Sequence, residues 1–229
     1  KDVEAAVDLT NVDDDLPVQI VGSWGSNCVR FVDGNIKCWG RNDGGAVGAG
    51  DTNHRGDQAG EMGANLPFVN LGTGRTAKML APNHRSEGHF CAILDNNTLK
   101  CWGVNSWGNL GQGDQNARGV AAGQMGDDLP AINLGAGRTV KYAENNYASA
   151  CAILDNDTVK CWGYPGNGIL GQGNGNQIGD QAGEMGDNLL PINLGAGRTV
   201  KTISMGGEFH VCAILDNDKV KCWGQNNVG

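Results

Sequence analysis

The chain is short of aromatic residues, at 6% of 229 positions, while glycine occupies 38 of them. That composition cannot fill one large core and fits short strands and tight turns around small ones, an all-β repeat array. No run approaches 18 consecutive apolar residues, so no membrane-inserted segment is expected. The first residues, KDVEAAVDLT, lack the charged-then-apolar profile of a signal peptide, so any export signal is expected to have been removed already. Clustered Lys and Arg are missing: the formal net charge is −8 and the acids are scattered among glycines. Neutralising a phosphate backbone needs a basic face, so no nucleic-acid partner is expected. Neither G-x-S-x-G nor G-x-x-x-x-G-K-[ST] occurs, and the G-x-G strings lie in glycine-rich loops. The expectation is that the chain is not an enzyme.

What the chain does have is self-similarity. CVRFVDGNIKCWG from Cys28 returns as CAILDNNTLKCWG from Cys91, CAILDNDTVKCWG from Cys151 and CAILDNDKVKCWG from Cys212, starts that are 63, 60 and 61 residues apart. A glycine-rich run follows each Trp, then a block such as GQMGDDLPAINLGAGRTVK from Gly123. The interval from Trp to the Arg of GRT is 36 residues in all three copies, so length varies only between GRT and the next Cys, which reads as a tolerant loop. A period of tens of residues marks a solenoid or a propeller. Residues 1–17 form a lead-in, and the repeats run over 18–229.

Each copy holds two cysteines ten apart, around an apolar-polar alternation. With a three-residue loop such as Asp95-Asn96-Asn97, the two cysteines fall opposite one another on a hairpin. Such a loop needs a left-handed residue at its end, which Asn tolerates. Hairpins are therefore expected at 28–38, 91–101, 151–161 and 212–222, each closed by a disulfide: Cys28 with Cys38, Cys91 with Cys101, Cys151 with Cys161, Cys212 with Cys222. Each bridge closes about 11 residues and stabilises by roughly 2.5 to 3 kcal/mol in the chain-entropy account. Zinc is the rival, but structural zinc sites draw on closer spacing. Disulfides persist in oxidising compartments, which makes the expected location extracellular or cell-surface.

The string C-A-I-L-D-N-x-x-V-K-C-W-G-x-N-x-x-G-x-L-G-x-G resembles the regulator of chromosome condensation repeat, in the cysteine-bearing form of secreted members. The resemblance covers about Val18 to Gly229 and implies a β-propeller with four antiparallel strands per blade, commonly seven blades to a ring. Ala46-Val47, Pro165 and Arg30-Phe31 depart from the pattern at single positions. The founding member's nucleotide-exchange activity is not carried over, because its loop residues map onto no position here. A relative by fold that inhibits β-lactamase implies that such propellers can act by binding alone. Seven units of about sixty need roughly 430 residues. About three and a half blades are present, an incomplete ring or open array. The chain then reads as a fragment, or as a subunit whose unfinished end blades pair with another copy.

Three acidic groups are candidate calcium ligands: Asp57 with Glu61, Asp127 with Asp128, and Asp180 with Glu184 and Asp187. The middle copy puts Val120 and Gln124 where the others have Asp and Glu, which favours a solvated turn, and no cofactor is expected beyond this weaker calcium alternative. Asn96 and Asn156 begin N-glycosylation sequons at the hairpin tips. Arg55-Gly56-Asp57 spells an adhesion tripeptide that arises from repeat drift. His89 and His210 each precede a Cys by two and suggest strand packing; His54 and His84 have no repeated place. Trp39, Trp102, Trp162 and Trp223 recur directly after a disulfide and are assigned to the core. Trp24 and Trp107 do not recur and are the candidate partner contacts. The expected function is a non-catalytic extracellular structural or assembly subunit, as of a cell-surface fibre. The alternative is a secreted binding module or inhibitor acting on a protein or glycan.

Overall fold

The computed structural model describes residues 16–84, 88–207 and 209–227. All but the last two residues of the expected lead-in lie outside these. The first blade joins β1 (Pro17–Gly22), β2 (Ser26–Phe31) and β3 (Ile36–Gly40) in the order β1-β2-β3. The second contains β4 (Ala77–Leu80), β5 (Asn83–His84), β6 (His89–Leu94) and β7 (Leu99–Gly103), with β4-β6-β7 forming its sheet. The third is β8 (Val140–Asn146), β9 (Ser149–Leu154) and β10 (Val159–Gly163), and the fourth is β11 (Val200–Met205), β12 (His210–Leu215) and β13 (Val220–Gly224). Pairing within each blade is antiparallel. The short β5 leaves its own blade and pairs parallel with β8. The all-β architecture of an incomplete propeller is as expected, and the place of a fourth strand is marked by single bridges, Gly40 with Arg55, Gly103 with Arg118 and Gly163 with Ile178.

The hairpins take the predicted register. Cys28 faces Cys38, Cys91 faces Cys101, Cys151 faces Cys161 and Cys212 faces Cys222, and all four pairs are disulfides. With every sulfur in a disulfide, the cysteines have no thiolate for zinc. The last loop residue is left-handed in each case: Gly34 at φ 87°, and Asn97, Asp157 and Asp218 at 61°. The interval between GRT and the next Cys is not a free loop. It contains the first strand of the blade, and its length varies in the turn that leads into the second strand.

The core sits between blades. Cys28 and Cys38 cluster with Phe90 and Trp102 of the second blade; Cys91 and Cys101 with Trp162 of the third; Cys151 and Cys161 with Trp223 of the fourth. Each disulfide thus covers the next blade while each Trp covers the previous one. The indole N–H is satisfied in the same way three times. Trp102 Nε1 donates to Ala46 O at 3.0 Å, Trp162 Nε1 to Asn109 O at 3.0 Å and Trp223 Nε1 to Ile169 O at 2.8 Å. These carbonyls belong to the glycine-rich loop of the preceding repeat.

The close approach explains a glycine in that loop. A Cβ on Gly111, whose φ is +63°, would stand 3.0 Å from both Trp162 Nε1 and Ile132 Cγ2. Gly137, at φ +69°, has nothing within 4 Å of such a Cβ. Gly137→Ala should therefore cost only the left-handed backbone penalty of about 1–2 kcal/mol. Gly111→Ala should add about 1–3 kcal/mol of overpacking at the blade interface. Urea denaturation of both variants separates the two, and equal losses would show that the loop is not pressed against the Trp.

Candidate interaction face

Three sets of side chains fix the scaffold. The Lys of each K-C-W-G string is buried or half-buried in the three leading blades and clamps the connecting segments. Lys100 Nζ donates to Leu71 O at 2.9 Å and Gly126 O at 2.7 Å, and Lys160 Nζ donates to Leu134 O and Gly186 O, both at 2.8 Å. Burial pulls both ammonium pKa values down from the usual lysine range. Asn42 and Asn105 close the glycine-rich loops: Asn42 Oδ1 accepts from Val47 N at 2.8 Å and Asn105 Oδ1 from Leu110 N at 2.9 Å. Pro165 stands in the corresponding place in the third copy and forms no such closure. Glu144, buried on β8, ties two blades by accepting from Tyr142 Oη at 2.5 Å and from Met205 N at 2.6 Å. Burial, then that hydrogen bond, pushes the Tyr142 phenol pKa up.

The candidate calcium ligands serve backbone groups. Glu61 Oε2 accepts from Gly56 N and Gln58 N, and Glu184 Oε2 from Gly179 N and Gln181 N. Gln124 Oε1 accepts from Ala121 N, the counterpart of Gln58 and Gln181, and from Val120 N, one residue after the counterpart of Gly56 and Gly179, so an uncharged amide also closes the turn. Asp127 accepts from the backbone N–H and hydroxyl of Thr73, which lowers its pKa, and Asp187 accepts from Ala136 N. Asp180 Oδ2 accepts from Gln115 Nε2, while Asp57 and Asp128 are exposed. Among the described residues, no three His, Cys, Asp or Glu side chains gather as a metal site. Arg55 of the RGD tripeptide is the bridge partner of Gly40, with its guanidinium on Asp51 at 2.7 Å; Arg118 repeats this with Asp114.

Asn96 and Asn156 are exposed at the hairpin tips, each accepting from the hydroxyl of the following Thr, at 2.7 and 2.8 Å. Trp102 and Trp162 are fully buried, while Trp39 and Trp223 are half-buried at the two end blades. His89 is buried in β6, whereas His210 is exposed on β12 and does not pack inward. His54 Nδ1 accepts from Asn42 N at 3.1 Å, and His84 Nε2 stands 3.8 Å from Glu144 Oε2.

Trp24 and Trp107 lie on the edge opposite the hairpin tips. Trp24 is 64% exposed in the turn between β1 and β2, with the Arg41 guanidinium 4.6 Å from its ring centre. Trp107 is half-buried and meets Tyr164 edge-on at 4.6 Å. Tyr164 in turn meets Phe209 at 5.4 Å, and Phe209 meets Tyr147 at 6.1 Å. Tyr147 holds in the third blade the place of Trp24 in the first, four residues before the Cys; Tyr164 holds that of Arg41, two after the Trp. One edge of the array therefore carries a line of rings on turns that vary from copy to copy. Sequence reasoning found its two tryptophans because they do not recur. It missed Tyr147, Tyr164 and Phe209, whose contacts run between repeats. The clamping lysines were also missed, although their recurrence in all four copies was a signal.

The family model described as "Regulator of chromosome condensation (RCC1) repeat" matches residues 200–229. The ultraviolet-B receptor UVR8 of Arabidopsis thaliana is 27% identical over 210 residues, covering 89% of this chain and 40% of the receptor. The chain thus spans less than half of this curated relative. Human WBSCR16 superposes with a TM-score of 0.66 at 17% identity, over 93% of this chain and 48% of the other. Prp20p of Saccharomyces cerevisiae, studied for its binding properties to Gsp1p and histones, superposes with a TM-score of 0.64 at 17% identity, over 92% and 44%. At these identities the two solved structures establish the fold.

Burial holds the His89 imidazole pKa down to about 4, against 6.5 when solvated. The unfolded chain takes up a proton below pH 6.5 that the folded chain refuses until about pH 4. Stability should therefore be insensitive to His89 above pH 6.5 and fall as pH drops through this window, by about 2–3 kcal/mol at pH 4.5. Denaturation of wild type and His89→Asn at pH 7 and 4.5 should show a shallower pH dependence in the variant. Equal dependence would show that His89 is solvated.

Proposed function

We propose that the chain, whose residues 200–229 match the regulator of chromosome condensation repeat, is an array of such repeats and a non-catalytic binding module that engages a protein partner through its aromatic edge. The observation that carries this reading is the division of labour among the rings. Those that recur lie in the blade interfaces, while Trp24, Trp107, Tyr147, Tyr164 and Phe209 differ between copies and share one edge. Aromatic side chains supply large contact area at low entropic cost, which suits them to interfaces. Loops held on a rigid scaffold are where binding residues concentrate.

Four disulfides support an oxidising compartment, extracellular or cell-surface. Asn96 and Asn156 are proposed glycosylation sites. Their tips lie one strand length, roughly 20 Å, from the aromatic edge, so glycans there would leave that edge open.

Self-association into a structural assembly is a second reading, favoured by the two end blades. Val220 is 62% exposed on the fourth blade and Ile20 is 66% exposed on the first, although Leu99 and Val159, and Leu80 and Ile203, are buried at the same repeat positions. Elsewhere in the array a further blade covers such a face, and a second copy of the chain can supply one.

Hydroxyl-radical footprinting of native material against the purified chain distinguishes the two readings. Binding through the aromatic edge predicts protection of Trp24 and Tyr147 in the native state. Protection confined to Ile20 and Val220 would instead support self-association, and protection of neither set would contradict both.

A further inference from the structure

The junction between the first and second blades differs from the next junction in one respect. Five residues after its Trp the second blade has Trp107, which packs on Tyr164 two residues after the Trp of the third blade. At the first junction the same two places are held by Gly44 and Val104, which touch: a Cβ on Gly44 would stand 2.2 Å from Val104 Cγ2. Two large rings are thus replaced by a hydrogen and an isopropyl group. A cavity of about 80 Å³ adjoins this contact, walled by Trp24, Arg41, Asp43, Gly44 and Val104.

We propose that this cavity receives an aromatic side chain, Trp or Tyr, from a polypeptide partner, a reading that rests on the binding role above. The shape argument comes from within the molecule, because the place filled at the next junction is filled by an indole packed on a phenol. Ala46, which also lines the cavity, belongs to the apolar cluster between the two blades. Trp24 offers a large exposed ring as the outer wall, and an aromatic pair there gains about 0.5–1.5 kcal/mol beyond its area. Arg41 stacks on that ring and also bonds Asp43 through Nε, so the wall is held in place. Asp43 Oδ1 stands at the rim, 3.7 Å from His54 Nε2, where a carboxylate can accept an indole N–H or a phenol O–H. Phenylalanine offers no such donor and should bind more weakly than tryptophan.

The test uses the whole chain and N-acetyltryptophanamide as probe, read by NMR at the Trp24 indole N–H and the Val104 methyls. Both signals should move and saturate in the submillimolar to millimolar range expected for a ligand of this size. Trp24→Ala should weaken binding at least tenfold. The double variant Gly44→Trp with Val104→Tyr places the next junction's residues at this one and should weaken binding at least tenfold, with circular dichroism confirming that the chain is folded. N-acetylglucosamine is the competing probe: if it moves the same signals and the amino-acid probe does not, the site is a sugar platform and the proposal is overturned. Unchanged affinity in the double variant overturns it too, as does the absence of shifts with either probe. In that last case protection of Tyr147 in native material would still report on the binding role independently.

Discussion

In the second, third and fourth blades the indole that follows the hairpin disulfide joins its repeat to the one before it, and the rest of the array depends on that contact. The ring is buried against the previous blade's disulfide, and its N–H must find an acceptor there or remain unpaired at a cost of about 1–3 kcal/mol. The acceptor is a loop carbonyl of the preceding repeat. To present it, that loop must pass close to the ring, which requires glycine where a Cβ would strike Nε1. The disulfide directly before the Trp fixes the hairpin register, and so fixes the side on which the indole emerges. Lys clamps and Asn-closed loops then hold the connecting segments over the interface.

Much of this was legible in the chain. The cysteine spacing set the register, Asn97 and its counterparts ended the hairpin loops in left-handed geometry, and the recurring Trp was placed in the core. The first strand of each blade was not legible. A register shift interrupts it in every copy, at Pro17/Gln19, Ala77/Met79, Val140/Tyr142 and Val200/Thr202, and such a bulge destroys the two-residue alternation by which strands are read. Among the described residues the fourth strand is reduced to one such bridge in each of the first three blades, which leaves no periodic pattern at all. The acids read from the sequence as solvated turns, with calcium the weaker alternative, because charge alone was visible. The backbone N–H groups that Glu61 and Glu184 accept from are set by turn geometry, and Gln124 shares one of the two bonds, with Ala121 N in the place of Gln58 N and Gln181 N. His210 differs from His89 because the fourth blade's strand is exposed where the second blade's is covered.

The candidate site was half legible for a physical reason. Trp24 and Trp107 stood out because they break the repeat, but a line of rings is a property of neighbouring turns brought together by the stacking of blades. Tyr147, Tyr164 and Phe209 are separated in sequence and touch only after that stacking. Repeated residues hold the scaffold and non-repeated ones decorate one edge of it. The cavity at the first junction follows the same rule, since it adjoins two repeat positions that carry small residues instead of rings.

Hydrogen-deuterium exchange on Trp162→Phe tests most directly whether the blades are held through this indole. The substitution keeps an aromatic ring but removes the donor to Asn109 O. Amides of residues 104–113 in the preceding repeat should then exchange faster, although their own sequence is unchanged, while the hairpin at 28–38 is unaffected. Faster exchange confined to β9 and β10, with the preceding loop as protected as in wild type, would contradict the account.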